Sequence, residues 1–393
     1  MSNGYDFEAG AFKAKGYEYV ANFGPAGSLA STSTDMARFM IAHLSQGALG
    51  EARILKPETV AAMHARVFSP HPAVDGSGLG FYESYVNGRR IIGHGGDTNY
   101  FHTELGLLEA EGVGFFACVN TGGKAALVPR HFVRAFMDHY FPATLPEVKP
   151  PADFAARAAK YAGHYRALRH SYTRFEKVFG LLGGTTVTAT PDNTLVIPGL
   201  LGDVKQYVEV APGVVREAHG DRTIAFVEDG KGEVVGMVGQ FAFIPFYKLH
   251  WYEASPFQFT LLGVSLLLFG IALVSALRHW KSDKAGPKGA RWARLNLGAL
   301  GALNLAFVAG FAGILTAGID ELIFALPKGL YAVLTLPLLG LALAAVAVVL
   351  LVGVWREGYW TRTMRLLHTG GVFAAIAFVW FLNYWNLLGY KIG

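Results

Sequence analysis

The 393-residue sequence predicts an α+β region, an antiparallel sheet with helices, followed by a small all-β module and a four-helix transmembrane region. Three observations predict it. Four uncharged stretches long enough to cross a bilayer crowd the C-terminal third. In the first part, Asn87-Gly88 between strand-like runs marks a hairpin, and in the middle, short β-branched runs alternate with turn residues.

In the first part, residues 24–44 run from small residues into a helix, with Thr32 or Ser33 as N-cap and Asp35 in the first turn. Met36, Phe39, Met40 and Leu44 share one face, and Gly47 ends the helix. Pro57 suits the first position of a second helix, where its missing N–H would have no partner in any case. Strands are expected at 79–85 and 89–94, with Asn87-Gly88 between them, and at about 103–108 and 113–119. Helical spacing over 125–140 supplies a cover for one face. Cys118, the single cysteine, falls in the apolar run 113–119 and reads as a buried structural thiol; no intramolecular disulfide or cysteine metal cluster is possible.

A proline-containing linker at 142–151 and a short helix near 152–159 lead into strands at 185–189, 194–197, 205–210, 223–227 and 234–238. Pro191-Asp-Asn and Glu228-Asp-Gly-Lys-Gly supply the residues that tight reversals need. Arg166, His170 and Arg174 could bind an anionic polymer, but a solvated basic surface is the simpler reading. The expected domains are 1–145, 152–250 and 257–390.

The membrane stretches are 257–277, 295–319, 330–355 and 369–390. A composition of 52% hydrophobic and 16% charged residues agrees with a part of the chain in lipid. The first loop carries Arg278, Lys281, Lys284, Lys288, Arg291 and Arg294 against Asp283. The third carries Arg356, Arg362 and Arg365 against Glu357, whereas the second has Asp320 and Glu321 against Lys328. By the positive-inside rule, loops one and three are cytoplasmic and the globular part is extracytoplasmic. The net charge of +5 is thus a topology signal, and nucleic acid is not an expected partner. Asn296, Asn304, Thr316 and Asn383 are the polar residues noted inside the spans, which lack Asp, Glu, Lys and Arg; a transport role is disfavoured. Residues 1–10 have no apolar core segment, so they form neither a signal peptide nor an anchor.

The sharpest local motif is Ile91-Ile-Gly-His-Gly-Gly-Asp, read as a strand ending in His94. Glycines let backbone approach a ligand, and an imidazole moves protons near neutral pH. Taken alone, a histidine beside glycines is more often a structural turn. Tyr85-Val86-Asn87 reads as part of the hairpin, and Gly122-Gly-Lys124 lacks the spacing and the hydroxyl residue of a phosphate loop.

Pro25-Ala-Gly-Ser-Leu-Ala-Ser-Thr-Ser-Thr-Asp-Met-Ala-Arg-Phe, Ile54-Leu-Lys-Pro-Glu-Thr-Val, Gly78-Leu-Gly-Phe, Gly93-His-Gly-Gly and Val119-Asn-Thr occur in this order and spacing. Together they resemble the serine β-lactamase-related family, which includes class C β-lactamases, D-alanyl-D-alanine peptidases and related esterases. Tyr161-Ala-Gly-His-Tyr and the strands after it resemble a domain often appended to these hydrolases, so the resemblance covers roughly residues 20–250. It implies a partial β-lactamase/DD-peptidase-like sheet whose Gly93-His94-Gly95-Gly96 lines the site opposite the nucleophile. His94 would assist proton transfer or orient a substrate carboxylate. Gly95 and Gly96 would line the oxyanion pocket, and Asp97 would give its backbone N–H to it, a donor typically worth about 2.7 to 4 kcal/mol. No cofactor and no metal is implied.

The family's nucleophile lies in Ser-x-x-Lys, and no serine here has lysine three residues on. Tyr85-Val86-Asn87 imitates the family's Tyr-x-Asn but sits in the hairpin, downstream of the expected place, and Gly-x-Ser-x-Gly and His-Glu-x-x-His are absent. The expectation is therefore the C-terminal portion of a truncated, membrane-anchored, extracytoplasmic serine hydrolase that is inactive as it stands. Losing a nucleophile costs on the order of 10⁶ in turnover. Its partners would be the lipid bilayer and a cell-wall peptide or small acyl donor. The alternative is a membrane-bound pseudoenzyme acting as a binding or sensory module.

Overall fold

The computed structural model describes residues 2–18, 24–199, 204–239, 243–324 and 326–392, without the side chains of 317–324 and 328. The chain divides into two compact units, Met1–Arg169 with Thr185–Lys248 and His170–Gly184 with Leu249–Gly393.

Unit 1 opens with a hairpin the sequence did not signal, β1 (Tyr5–Glu8) and β2 (Ala11–Ala14). After a single turn, α1 (Gly24–Gly27), helix α2 (Ser33–Leu44) starts at Thr32, whose hydroxyl accepts the Asp35 N–H at 3.1 Å. Of its expected face, Met40 is buried and Met36 and Leu44 pack beside it, whereas Phe39 is exposed. Phe39 falls on the far edge of an apolar stripe narrower than expected.

Two short strands, β3 (Ala48–Leu49) and β4 (Ala52–Arg53), lead to α3 (Pro57–His64), with Pro57 in its first turn. The sheet follows: β5 (Tyr82–Val86), β6 (Arg89–Asp97), β7 (His102–Leu108) and β8 (Val113–Val119), antiparallel in that order. Asn87 and Gly88 both have positive φ, +54° and +73°, which the two-residue reversal between β5 and β6 requires. Met40, Phe81, Ile92, Leu105 and Leu107 cluster on one face of the sheet. On the other, helix α4 (Val128–Tyr140) places Met137 against Ile91, Leu108 and Phe115.

Cys118 is exposed, contrary to the buried thiol the sequence suggests. It pairs with Thr103, which pairs with Gly96, so the three form a row across the sheet. An apolar run in a strand does not say how far the covering helix reaches.

Helix α5 (Ala155–Tyr161) precedes a closed antiparallel barrel made of β9 (Gly163–Ala167), β10 (Gly184–Ala189), β11 (Leu195–Pro198), β12 (Val204–Ala211), β13 (Val214–Glu217), β14 (Thr223–Glu228), β15 (Val234–Val238) and β16 (Phe246–Lys248). Strands β9, β13 and β16 are short and were not evident in the sequence. Tyr161, Tyr165, Leu195, Ile197, Val215 and Phe226 are among the buried residues packed in its core. Eight strands leave an interior that side chains can fill. Arg166 is 2% exposed and its guanidinium donates to the Tyr247 hydroxyl, so it is no part of a solvated basic surface. His170 and Arg174 lie outside the barrel, in unit 2.

Unit 2 consists of α6 (Ser255–Arg278), α7 (Lys288–Phe324), α8 (Lys328–Arg356) and α9 (Arg362–Tyr384), with residues 170–184 packed on them. Each helix is long and apolar enough to cross a membrane. Their outer faces expose Val264, Leu267, Ile271, Val349 and Phe373, the pattern of a surface made for lipid. Several boundaries differ from expectation: α7 begins at Lys288, so Lys288, Arg291 and Arg294 are helical, and α9 ends at Tyr384 rather than near 390. Helix α7 continues to Phe324, so Asp320 and Glu321 belong to a helix and not to a loop. Helix α9 begins at Arg362, where the Thr361 hydroxyl caps it by accepting the Met364 N–H, so Arg362 and Arg365 lie in its first turn. Hydropathy marks the span; capping marks the helix.

Small residues let these helices approach. A Cβ on Gly301 would stand 2.6 Å from the Phe269 carbonyl oxygen, and one on Gly371 would stand 2.7 Å from Leu297. Gln258, inside α6 and overlooked in the sequence, is fully buried and accepts from the Trp385 indole N–H at 2.9 Å.

Candidate functional site

The expected site residues follow one another along β6. This strand does not end at His94; it continues to Asp97 because His94, Gly95, Gly96 and Asp97 pair with Leu105, Glu104, Thr103 and His102. On its other side, β5 pairs only from Arg89 to Gly93. Residues 94–97 thus have a strand neighbour on one side alone among the described residues.

That open edge presents specific groups. The Thr98 N–H donates to the Phe101 oxygen at 2.9 Å. Antiparallel ladders alternate bonded and non-bonded pairs, so the N–H groups of Asp97 and Gly95 turn away from β7 toward the open edge. The glycines keep the backbone accessible. A Cβ on Gly93 would stand 2.2 Å from the Leu105 oxygen, and one on Gly95 would stand 2.9 Å from a Glu104 carboxylate oxygen.

His94 is exposed, and its Nδ1 lies 2.6 Å from the Gly95 oxygen. A carbonyl only accepts, so Nδ1 carries the proton of this bond and the neutral ring keeps Nε2 as a lone-pair acceptor. The ring stacks on Tyr82, which in turn stacks on Phe243. The Asp97 carboxylate takes a different direction from its N–H. It accepts from His102 Nδ1 at 2.8 Å and lies 3.5 Å from the Arg130 guanidinium. Beside it, burial raises the Glu104 carboxyl above its usual range, the Arg130 charge opposing and the Asp97 charge adding to the shift.

Sequence reasoning missed the residue that shapes the end of this strand. Glu18 accepts from the Thr98 hydroxyl at 2.6 Å and from the N–H groups of Asn99 and Tyr100 at 2.9 and 3.2 Å. Nothing in a lone glutamate far upstream signals such a role. Also missed was a chain in which the exposed Glu109 carboxylate accepts from the buried His64 Nδ1 at 2.6 Å and His64 Nε2 lies 3.0 Å from the buried His43 Nδ1. Burial, aided by the charge of His64, lowers the His43 pKa.

Tyr85-Val86-Asn87 serves the hairpin: the Asn87 side chain donates to Asp138 and to the Phe141 oxygen. Gly122 donates its N–H to the Tyr5 oxygen and begins a 3-10 turn, Gly123–Leu127, so neither decoy joins the site. A cleft of about 510 Å³ in this unit is lined by Arg66, Asp75, Glu104, Arg130, Arg134 and Asp221 among others. There burial, reinforced by the charge of Glu83, raises the Asp75 carboxyl to about 7.

Residues 2–136 match the protein family described as Beta-lactamase. This segment is similar to that family. It contains the whole β5–β8 sheet, with His94, Gly95, Gly96 and Asp97 on β6. Among solved structures, the chain is similar to SurE at 17% identity, covering 63% of this chain and 55% of that one with a TM-score of 0.38. SurE with D-Leu gives 18%, 63%, 55% and 0.38. The octameric penicillin-binding protein homologue from Pyrococcus abyssi gives 14%, 63%, 53% and 0.28. The chain spans about half the length of these solved chains. No curated protein matches it.

Proposed function

We propose that the β-lactamase-related segment supplies the strand wall of an acyl-transfer site, with His94 as the proton-handling side chain, Gly95 and Gly96 as the open wall, and the Asp97 N–H as an oxyanion donor. The observation that carries this reading is the edge of β6 at residues 94–97, which has no strand neighbour on one side among the described residues and where an exposed imidazole stands beside outward N–H groups. The parts are 1–145 as the C-terminal part of a serine hydrolase domain, 152–250 as the all-β module and 257–390 as the membrane anchor. Four helices of spanning length with apolar exteriors support the anchor. The basic loops between α6 and α7 and between α8 and α9 support an extracytoplasmic position for the globular part. A cell-wall peptide or a small lactam or ester is the substrate class this wall suits.

The chain as it stands is inert in acylation, because it holds no Ser-x-x-Lys. The same absence favours a second reading, a pseudoenzyme that binds such ligands without turning them over. Incubation of the full chain in detergent with benzylpenicillin, followed by intact mass and by the rate of His94 carbethoxylation, tests the proposal. The expected result is an unchanged mass with His94 protected. An ester on any serine would overturn the inertness, and a His94 that no concentration protects would remove the strand-wall role. Saturable, tight binding by the chain alone is what the pseudoenzyme reading requires.

A further inference from the structure

Unit 2 carries a groove that none of the chemistry above uses. The stretch of α6 from Leu266 to Arg278, the first turns of α7 and the start of α9 line a cavity of about 630 Å³. Along most of its length the wall is apolar, with Leu267, Ile271 and Val274 exposed on α6. One end is polar, and Arg278, His279, Arg294 and His368 meet there.

These four groups differ in what they have left to offer. Arg294 is matched by Asp283, whose two carboxylate oxygens lie 2.5 and 2.7 Å from its guanidinium, and it also lies over the Trp360 ring. His279 donates through Nδ1 to the Ser275 oxygen at 3.0 Å. Arg278, exposed in the last turn of α6, has no ion-pair partner among the described residues. His368 is only 7% exposed, yet its Nε2 has no hydrogen-bond partner among the described residues. A buried polar atom left in that state is destabilising, so a ligand oxygen at this point would relieve it.

We propose that the groove holds one anionic glycerophospholipid, with an acyl chain along Leu267, Ile271 and Val274 and its phosphate accepting from Arg278 and from His368 Nε2–H. The groove wall belongs to helices of spanning length, so the available apolar chains are those of the bilayer. An unmatched guanidinium beside further basic residues of the α6–α7 loop favours an anionic over a choline headgroup. The inference rests on the membrane reading above, and the two fail separately.

Native mass spectrometry of the full chain in detergent, with phosphatidylglycerol or phosphatidylcholine added, tests it. A one-to-one adduct retained with phosphatidylglycerol and not with phosphatidylcholine is expected. Arg278→Gln, at an exposed position, should weaken it about five-fold, and Leu267→Trp should block the acyl chain and abolish it while thermal unfolding stays unchanged. Equal retention of the two lipids, indifference to both variants, or displacement by inorganic phosphate alone would overturn the proposal. A chain released from cell membranes by alkaline carbonate would instead overturn the membrane reading; one that stays but does not discriminate lipids overturns only the lipid site.

Discussion

The His94 imidazole lies on the Tyr82 ring with centroids 4.4 Å apart and planes inclined by 22°. Tyr82 is the first residue of β5 and pairs with Gly93, so the stack sits where β5 stops and the free edge of β6 begins. One aromatic ring therefore sets the direction of the imidazole while the Gly95 carbonyl sets its tautomer. Tyr82→Ala should leave the fold intact and weaken protection of His94 by an acyl donor. The stack is worth about 0.5–1.5 kcal/mol, up to roughly ten-fold in the protecting concentration, measured by carbethoxylation of the His94 peptide.

The glycines of β6 are not equivalent. Gly93→Ala drives a Cβ into the Leu105 backbone oxygen, whereas Gly96→Ala meets only the Thr103 hydroxyl, which can rotate. Thermal unfolding should show a loss of about 1–3 kcal/mol for Gly93→Ala and a clearly smaller one for Gly96→Ala. Equal losses would mean that the ladder yields at Gly93.

Glu18 anchors the β6–β7 turn through three donors. Glu18→Ala leaves them without that carboxylate, at a cost of about 1–3 kcal/mol. Amide exchange at Asn99 and Tyr100 should quicken in this variant, while exchange in the barrel strands stays as it was. Unchanged exchange at the turn would show that water replaces the carboxylate without loss.

Inside unit 2, Gln258→Leu leaves the Trp385 indole N–H buried without its partner. Unfolding in detergent should report a loss of about 1–3 kcal/mol. Changing both residues to apolar ones, Gln258→Leu with Trp385→Phe, should recover part of it.

Asp75 titrates in the folded state near 7, above its unfolded value of 3.8, because burial disfavours its charge. A raised carboxyl means the folded state holds the proton more tightly, so stability is lost as pH rises from about 4 to about 7. Asp75→Asn removes this slope and should be the more stable form above pH 7, with an upper limit of about 4 kcal/mol set by the distance between the two values. Unfolding midpoints of the two proteins across that pH range check the sign; parallel curves would contradict it.

Local physics settled much of this protein before any contact was known. Hydropathy over about 20 residues marks a helix long and apolar enough to cross a bilayer, Asn87-Gly88 reverses a strand pair, and Thr32 before an apolar stripe caps a helix. Those rules act over a few residues, so the long helices, the β5–β8 strands and most of the barrel strands were legible in the sequence, whereas β1, β2, β9, β13 and β16 were not. What the tertiary structure alone decided depends on residues distant in the chain. Cys118 is exposed although its run is apolar; Glu18 holds a turn some eighty residues away; Arg166 is buried, with its guanidinium on the Tyr247 hydroxyl of the neighbouring strand. The open edge of β6 is of the same kind, since it exists only because β5 stops at Tyr82 while β7 pairs on to Asp97. Propensity and spacing report what a segment prefers, whereas pairing length, burial and long-range hydrogen bonds are set by which other segments arrive beside it.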